Sequence, residues 1–326
     1  VGAGGDRRIG AARWRAVVVS ASWALSGLHV SMVLLLPILL TGLVNRTKAR
    51  WGGRRGPGLL QSGWDLLRLL RKQPVYSAVA TPLFRAGAYV VLLASVLAAL
   101  IAPMLGAFAP LQFEHDFIVF AYTVGLARLF LMLSALDVGS SFEGMGAARE
   151  ASFSAFAEPA LFLLIGSLAI ATGHTSFAGL VGALHATTYF PVLVVPAVAV
   201  LFILLQAEAS RVPVDDPLTH LELTMVHEVM VLDHSGPELA AMQFAGALKM
   251  TVYAGLIAAL LNPFEPLAQP VAAAGMSLLL MAAVAVAVGC VESLTARLRM
   301  RLVPRYLLLA SLVAGLCLAA ASAWSV

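Results

Sequence analysis

The stretch Val30-Ser-Met-Val-Leu-Leu-Leu-Pro-Ile-Leu-Leu-Thr-Gly-Leu-Val44 closes an apolar run that begins at residue 16 and stops against Asn45-Arg-Thr-Lys48. Crossing about 30 Å of hydrocarbon at 1.5 Å per residue takes roughly 20 apolar residues, so 16–44 is long enough to span a bilayer. It exceeds the roughly 7–15 apolar residues of a cleaved signal peptide, and Asn45–Lys48 reads as a stop-transfer signal, so the segment is expected to be a retained helix. Arg7-Arg8 lacks the surroundings of a twin-arginine signal.

Seven further runs have the same character: 86–107, 117–136, 157–173, 187–207, 245–262, 271–290 and 304–324. Backbone cannot stand unpaired in lipid, and no segment alternates like a barrel strand, so all eight are read as α-helices. Of the 326 residues 60% are hydrophobic and only 12% charged, against about a quarter charged in a soluble domain. The expected fold is all-α: one integral membrane domain over 1–326, a bundle of about eight transmembrane helices plus an interfacial helix. No soluble domain exists to present a nucleic-acid surface.

Basic residues orient the bundle. The connection 45–85 holds Arg46, Lys48, Arg50, Arg54, Arg55, Arg68, Arg71, Lys72 and Arg85, and alternate connections add Arg149, Arg211, Arg297, Arg299, Arg301 and Arg305. The opposite connections 108–116, 174–186 and 263–270 hold no Lys or Arg. That asymmetry places the connections 45–85, 137–156, 208–244 and 291–303 in the cytoplasm and both termini outside, although Arg7, Arg8, Arg13 and Arg15 pull the other way.

Within 45–85, Leu59, Leu60, Leu66, Leu67 and Leu70 with Trp64 form an apolar stripe at helical spacing, with Arg68, Arg71 and Lys72 largely off it. The run is too short to span and reads as a helix lying on the membrane or packed on the bundle. The connection 137–156 is Gly- and Ser-rich and reads as a loop able to approach another backbone closely. In 208–244, Asp216-Pro217 is a helix start, with a short helix expected over 217–232.

Catalytic motifs are missing. His227-Glu228 resembles half of a zinc His-Glu-x-x-His, but Val231 stands where the second ligand belongs, and His220 with His227 makes no site; no metal is expected. No phosphate loop, dinucleotide fingerprint or nucleophile elbow appears. Cys290 and Cys317 are the only cysteines, too few for an iron–sulfur cluster, which takes four. The chain is therefore read as having no catalytic centre of its own.

What remains is charge near apolar segments. Between 208 and 238 seven carboxylates (Glu208, Asp215, Asp216, Glu222, Glu228, Asp233 and Glu238) meet one cation, Arg211. Arg128 lies near the middle of the third helix, Glu158 opens the fourth, Glu208 closes the fifth and Lys249 lies just inside the sixth. Buried ionisable groups are costly and mark functional positions. Two readings stand side by side: a proton relay through these groups, or ion pairs of Arg128 and Lys249 that hold the bundle together.

Three motifs then carry a resemblance. They are Gly53-Arg-Arg-Gly-Pro-Gly-Leu-Leu-Gln61 with Asp65 and Leu69; Gly139-Ser-Ser-Phe-Glu-Gly-Met-Gly-Ala-Ala-Arg-Glu150 with Ala157-Glu-Pro-Ala160; and Glu208-x-x-Arg-x-Pro-x-Asp-x-Pro217 with Thr219-His-Leu-Glu-Leu-Thr-Met225 and Ser235-Gly-Pro237. Together they resemble the membrane subunit shared by respiratory complex I (NADH:quinone oxidoreductase subunit 1, the H subunit) and the energy-converting hydrogenases, closest to the formate hydrogenlyase subunit 4 branch. The resemblance runs from about residue 40 to the C-terminus.

It implies a multi-pass subunit in a prokaryotic plasma membrane, part of an oxidoreductase complex of the formate hydrogenlyase type. Iron–sulfur clusters and a nickel–iron site would lie in partner subunits, with none in this chain. The partners implied are hydrogenase large and small subunits, an iron–sulfur subunit and antiporter-like membrane subunits. Proton relay would involve Glu158, Glu208, Glu222, Glu228 and Asp233 with Arg128 and Lys249. Docking would involve Arg54, Arg55, Asp65, Arg149, Glu150, Arg211 and Asp215. Complex I continues past the Pro217 position with several glutamates, where this chain has Leu218, Thr219 and His220. That departure favours the hydrogenase branch over a quinone-reactive subunit of a complex I-like NADH dehydrogenase, which stays as the alternative. A stand-alone transporter is a third class, but no inverted repeat or broken helix points to it.

Overall fold

A computed structural model describes residues 3–187, 190–216 and 225–324. Its helices are α1 (Ala3–Trp51), α2 (Gln61–Leu70), α3 (Pro82–Ile101), α4 (Asp116–Asp137), α5 (Ser141–Thr172), α6 (Phe177–Leu184), α7 (Phe190–Glu208), α8 (Gly236–Leu261), α9 (Pro270–Leu294) and α10 (Val303–Trp324). Eight of them carry stretches long and apolar enough to cross a membrane: Ser20–Trp51 of α1, and α3, α4, α5, α7, α8, α9 and α10. The described residues contain no strand, as the unbroken apolar runs require.

Antiparallel succession puts the connections 52–81, 138–140 and 295–302, with the described segments 209–216 and 225–235, at one end of the bundle. The α3–α4, α5–α7 and α8–α9 connections lie at the other. α8 is the axial helix: 78% of its apolar window is buried, against 28–50% for the others. α1, α3, α7 and α9 pack directly on it, with α4 paired to α3, and α5 and α10 paired with each other and packed on α7. Small residues let helices meet closely, as expected where lipid tails compete with apolar side chains. Gly289 of α9 sits against Thr47 and Val44 of α1, and Gly87 of α3 against Ser134 of α4. The outer faces show large apolar residues such as Leu35, Leu93, Tyr122, Val195, Leu279 and Leu316.

Several boundaries depart from the sequence reading. α1 continues past residue 44 through the expected stop-transfer residues to Trp51, because Lys48 and Trp51 find partners on α9: Glu292 Oε2 at 2.8 Å and Cys290 Sγ at 3.3 Å. The Gly/Ser-rich stretch read as a loop is helix from Ser141 onward. Its glycines serve packing: a side chain on Gly146 would collide with Val229, with Met230 Cγ at 2.9 Å and with Val226 O at 3.0 Å. α8 begins at Gly236, not 245, and α6 adds an unforeseen short helix, N-capped by Ser176. In place of a helix over 217–232, the described part is a 3-10 turn, Glu228–Val231; 217–224 lie outside the described residues.

α2 is amphipathic and contains no buried residue, with Trp64, Leu67 and Leu70 exposed. It rests on α1 through Gly63, where an added side chain would come within 3.2 Å of Ile38 Cγ2, and through the Leu59 backbone packed on Gly42. It also packs on α8.

Candidate functional site: a buried chain of charged side chains

Arg128 stands on α4 nine residues before Asp137, about 14 Å of helix from the long-connection end. An unpaired guanidinium there would cost several kcal/mol. Three carboxylates from two other helices meet it. Glu150 and Glu158 lie eight residues apart on α5, near enough to one side of the helix to point the same way, and Glu208 is the last residue of α7. Glu150 Oε1 is 3.1 Å from Arg128 Nε; Glu158 Oε1 binds Nη1 and Glu208 Oε1 binds Nη2. The side chains of Arg128, Glu150 and Glu208 are nearly inaccessible, whereas that of Glu158 is 51% exposed. Glu208 Oε2 continues to Lys249 Nζ of α8 at 3.6 Å. These are two cations facing three carboxylates, one negative charge in excess.

The chain continues toward the loops. Glu150 Oε2 lies 3.4 Å from His227 Nε2, and His227 Nδ1 lies 3.7 Å from Asp215 Oδ2. Asp215 is held by the backbone amides of Val226 (3.2 Å) and His227 (3.0 Å), and its Oδ1 by Arg297 Nη2 at 2.9 Å. Burial would raise the Asp215 carboxyl, but hydrogen bonds from His227 and the charges of His227 and Arg297 outweigh it and hold it below the usual range. Burial would lower the His227 imidazole; the Glu150 charge and then Asp215 overcome that and leave it above its ordinary value.

Beside this line opens a cavity of about 330 Å³ between α1, α2, α8 and the residues after α7. Its lining includes Glu208, Arg211, His227, Glu228 and Lys249. Lys48 and Arg211 also line it, and both bind Glu292 of α9, at 2.8 and 3.4 Å. A second polar group fastens the loop layer: Tyr76 Oη donates to Glu238 Oε1 (2.7 Å), and His234 lies between Glu238 (3.6 Å) and Ser134 Oγ (3.0 Å), stacked on Phe84. Among the described residues no group of three His, Cys, Asp or Glu is placed to hold a metal.

The family model for NADH dehydrogenase matches residues 25–322. This chain belongs to that family. Two relatives from Escherichia coli K12 are similar to this NADH dehydrogenase family member. Hydrogenase-4 component C is 31% identical over 233 residues, 72% of this chain and 73% of that protein. Formate hydrogenlyase subunit 4 is 29% identical over 277 residues, 82% of this chain and 88% of that protein. A chain of the membrane-bound sulfane sulfur reductase, an archaeal respiratory membrane complex, shares the fold with a TM-score of 0.78 at 20% identity. The likeness covers 92% of this chain and 99% of that one.

In this NADH dehydrogenase family chain the residues expected to relay protons divide. Arg128, Glu158, Glu208 and Lys249 converge through ion pairs, and of the four Glu208 and Lys249 also line the cavity. Lys249 proves to be mid-helix because α8 starts early. Glu228 lines the cavity. Asp233 is exposed and outside the group, its backbone amide donating to Glu143 Oε1 at 3.0 Å. Glu222 lies outside the described residues.

The residues expected to dock partners divide too. Arg54 and Arg55 are exposed. Asp65 is half-exposed, bonded to Gln61 (3.0 Å) and 3.4 Å from Arg68. Arg149 donates to Met225 O at 2.8 Å. Glu150, Arg211 and Asp215 are instead buried and committed to partners within the chain. Missed entirely was Glu292, the one carboxylate of α9, because it falls just beyond the 271–290 run and only the observed helix, which ends at Leu294, takes it in.

Proposed function

We propose that this chain is the membrane-anchor and proton-relay subunit of an energy-converting hydrogenase complex of the formate hydrogenlyase type. The observation that carries the reading is the continuous line Lys249–Glu208–Arg128–Glu150–His227–Asp215–Arg297, running from inside the bundle to the long-connection end. Carboxylates and an imidazole in partly dry surroundings can pass protons. Arg128 cannot lose its own proton; its role is to keep Glu150, Glu158 and Glu208 within reach of one another. Glu222, Glu228 and Asp233 would feed the line from the loop side.

The peripheral arm docks on the long-connection end, and the excess of basic residues there supports a cytoplasmic position for it in a prokaryotic plasma membrane. Arg54 and Arg55 are exposed to meet it, Asp65 and Arg149 add further contacts, and Glu150, Arg211 and Asp215 transmit them inward. The hydrogenase large and small subunits and the iron–sulfur subunit carry the iron–sulfur clusters and nickel–iron site; antiporter-like membrane subunits adjoin the bundle laterally. Purifying the tagged chain in mild detergent tests the assembly. Nickel- and iron-containing subunits are expected to co-purify in fixed proportion, and a chain that purifies alone from cells expressing those subunits contradicts the reading.

A second reading draws on the cavity at α1, α2 and α8, which lies beside the amphipathic helix where an apolar ring compound could enter. In a quinone-reactive subunit, a quinone-site inhibitor would protect 208–238 from proteolysis in the assembled complex. No protection at saturation counts against it.

A further inference from the structure

We infer that His227 is the proton-transfer joint between the loop segments 209–216 and 225–235 and the buried carboxylates of α5 and α7. The inference rests on the relay reading above and adds a residue to it. The ring occupies the gap between two otherwise separate ionic groups: Asp215 with Arg297 on one side, and Glu150 with Arg128 on the other. Its two nitrogens face opposite ways, Nε2 toward Glu150 Oε2 at 3.4 Å and Nδ1 toward Asp215 Oδ2 at 3.7 Å. Each carboxylate gives one oxygen to its own arginine and turns the other to the ring, so the two groups meet through His227.

The ring is also held in place. The His227 amide donates to Asp215 Oδ2 at 3.0 Å, Met230 N donates to His227 O at 3.1 Å, and Arg149 fixes the neighbouring Met225 carbonyl at 2.8 Å. The side chain is 14% exposed and lines the cavity, so protons from solvent can reach it.

Every element around His227 contributes a charge. α5 supplies Glu150, with Arg128 of α4 behind it; the segment after α7 supplies Asp215 and Arg211, with Arg297 behind Asp215. Glu208, Glu228, Lys249, Lys48 and Asp65 line the cavity with it. Arg128 and Lys249 leave the three carboxylates one negative charge in excess, so an imidazolium at 227 brings the group to neutrality. Burial disfavours that imidazolium, but the Glu150 and Asp215 charges prevail and raise the proton affinity of the ring.

One transfer runs as follows. A neutral ring with its proton on Nε2 accepts a second at Nδ1, from Asp215 or from solvent in the cavity. The imidazolium then releases the Nε2 proton to Glu150 Oε2. The ring ends neutral with its proton on Nδ1 and one proton has moved inward; exchange with solvent in the cavity, which takes the Nδ1 proton and returns one to Nε2, restores the starting tautomer. Protonated Glu150 loosens its hold on Arg128, which shifts toward Glu208 and Glu158.

The test uses the assembled complex in vesicles, with His227→Ala, His227→Gln and Glu208→Gln compared at equal content of complex. His227→Ala is expected to lower protons moved per turnover by about tenfold or more, and added imidazole should restore part of the loss, which a structural role would not allow. His227→Ala with wild-type proton movement and pH profile, while Glu208→Gln abolishes movement, overturns the role of His227 alone. Wild-type behaviour in both variants overturns the relay reading itself. If neither His227 variant assembles, ¹⁵N-histidine resonances of the wild-type complex decide. A His227 midpoint above the ordinary value that falls by about one pH unit in Asp215→Asn supports the proposal, and a midpoint below the ordinary value defeats it.

Discussion

Arg128 is the residue on which the interior depends most. Its side chain is 3% exposed and joins α4, α5 and α7 through three carboxylates. Arg128→Met would leave Glu150 and Glu208 buried without their main partner, and breaking such a pair typically costs about 3–5 kcal/mol. Glu158→Gln should cost less, because half of that side chain is exposed and Arg128 keeps two carboxylates. Thermal unfolding in detergent should rank Arg128→Met well below Glu158→Gln; equal melting temperatures would contradict the geometry. His234 provides a pH test. Burial holds its imidazole down to about 4, below the ordinary 6.5, so the unfolded chain takes the proton first. The stabilisation is therefore complete above pH 6.5 and is lost as pH falls from 6.5 toward 4, by at most about 3 kcal/mol. His234→Gln should flatten the melting temperature across that window; an unchanged slope would show that another group sets it.

At the scale of elements, the seam between α5 and residues 225–231 decides whether His227 reaches Glu150. Gly146 permits it, since a side chain there would strike Val229, Met230 and the Val226 carbonyl. Gly146→Leu should destabilise the seam by about 1–3 kcal/mol and raise hydrogen exchange in 225–231, whereas Gly275→Ala on α9, with open space around it, should be neutral or slightly stabilising. Equal exchange in both would mean that the seam does not rest on Gly146. This seam also shows where a reading of residues stops. Gly139, Ser140, Ser141, Gly144 and Gly146 have loop composition, yet most of them are helical, because the value of a small residue there lies in a partner far along the chain. Arg128, Glu158, Glu208 and Lys249 were legible from their position in apolar runs. Glu292 obeys the same rule but falls just beyond the 271–290 run and reads as part of a polar connection. His227 lacks its second metal ligand and so looks idle until folding brings Glu150 and Asp215 to either side. Glu150, Arg211 and Asp215 are polar residues in expected connections, and only tertiary structure reveals that they are interior.

For the whole molecule, eight spans follow directly from run length, and basic residues concentrate at one end. Those two facts predict a sidedness. In a background with Cys290 and Cys317 replaced, Arg54→Cys should react with a membrane-impermeant thiol reagent only from the cytoplasmic side, and Gln112→Cys only from the other; the reverse pattern would invert the direction of the relay. The central claim is that the line from Arg297 to Lys249 moves protons when the complex turns over. The most direct measurement is the number of protons moved per turnover by the assembled complex in sealed vesicles, followed by a pH-sensitive dye, for wild type and Glu208→Gln. The account predicts a fall of about tenfold or more in the variant. A Glu208→Gln complex that moves protons in the wild-type ratio would contradict it.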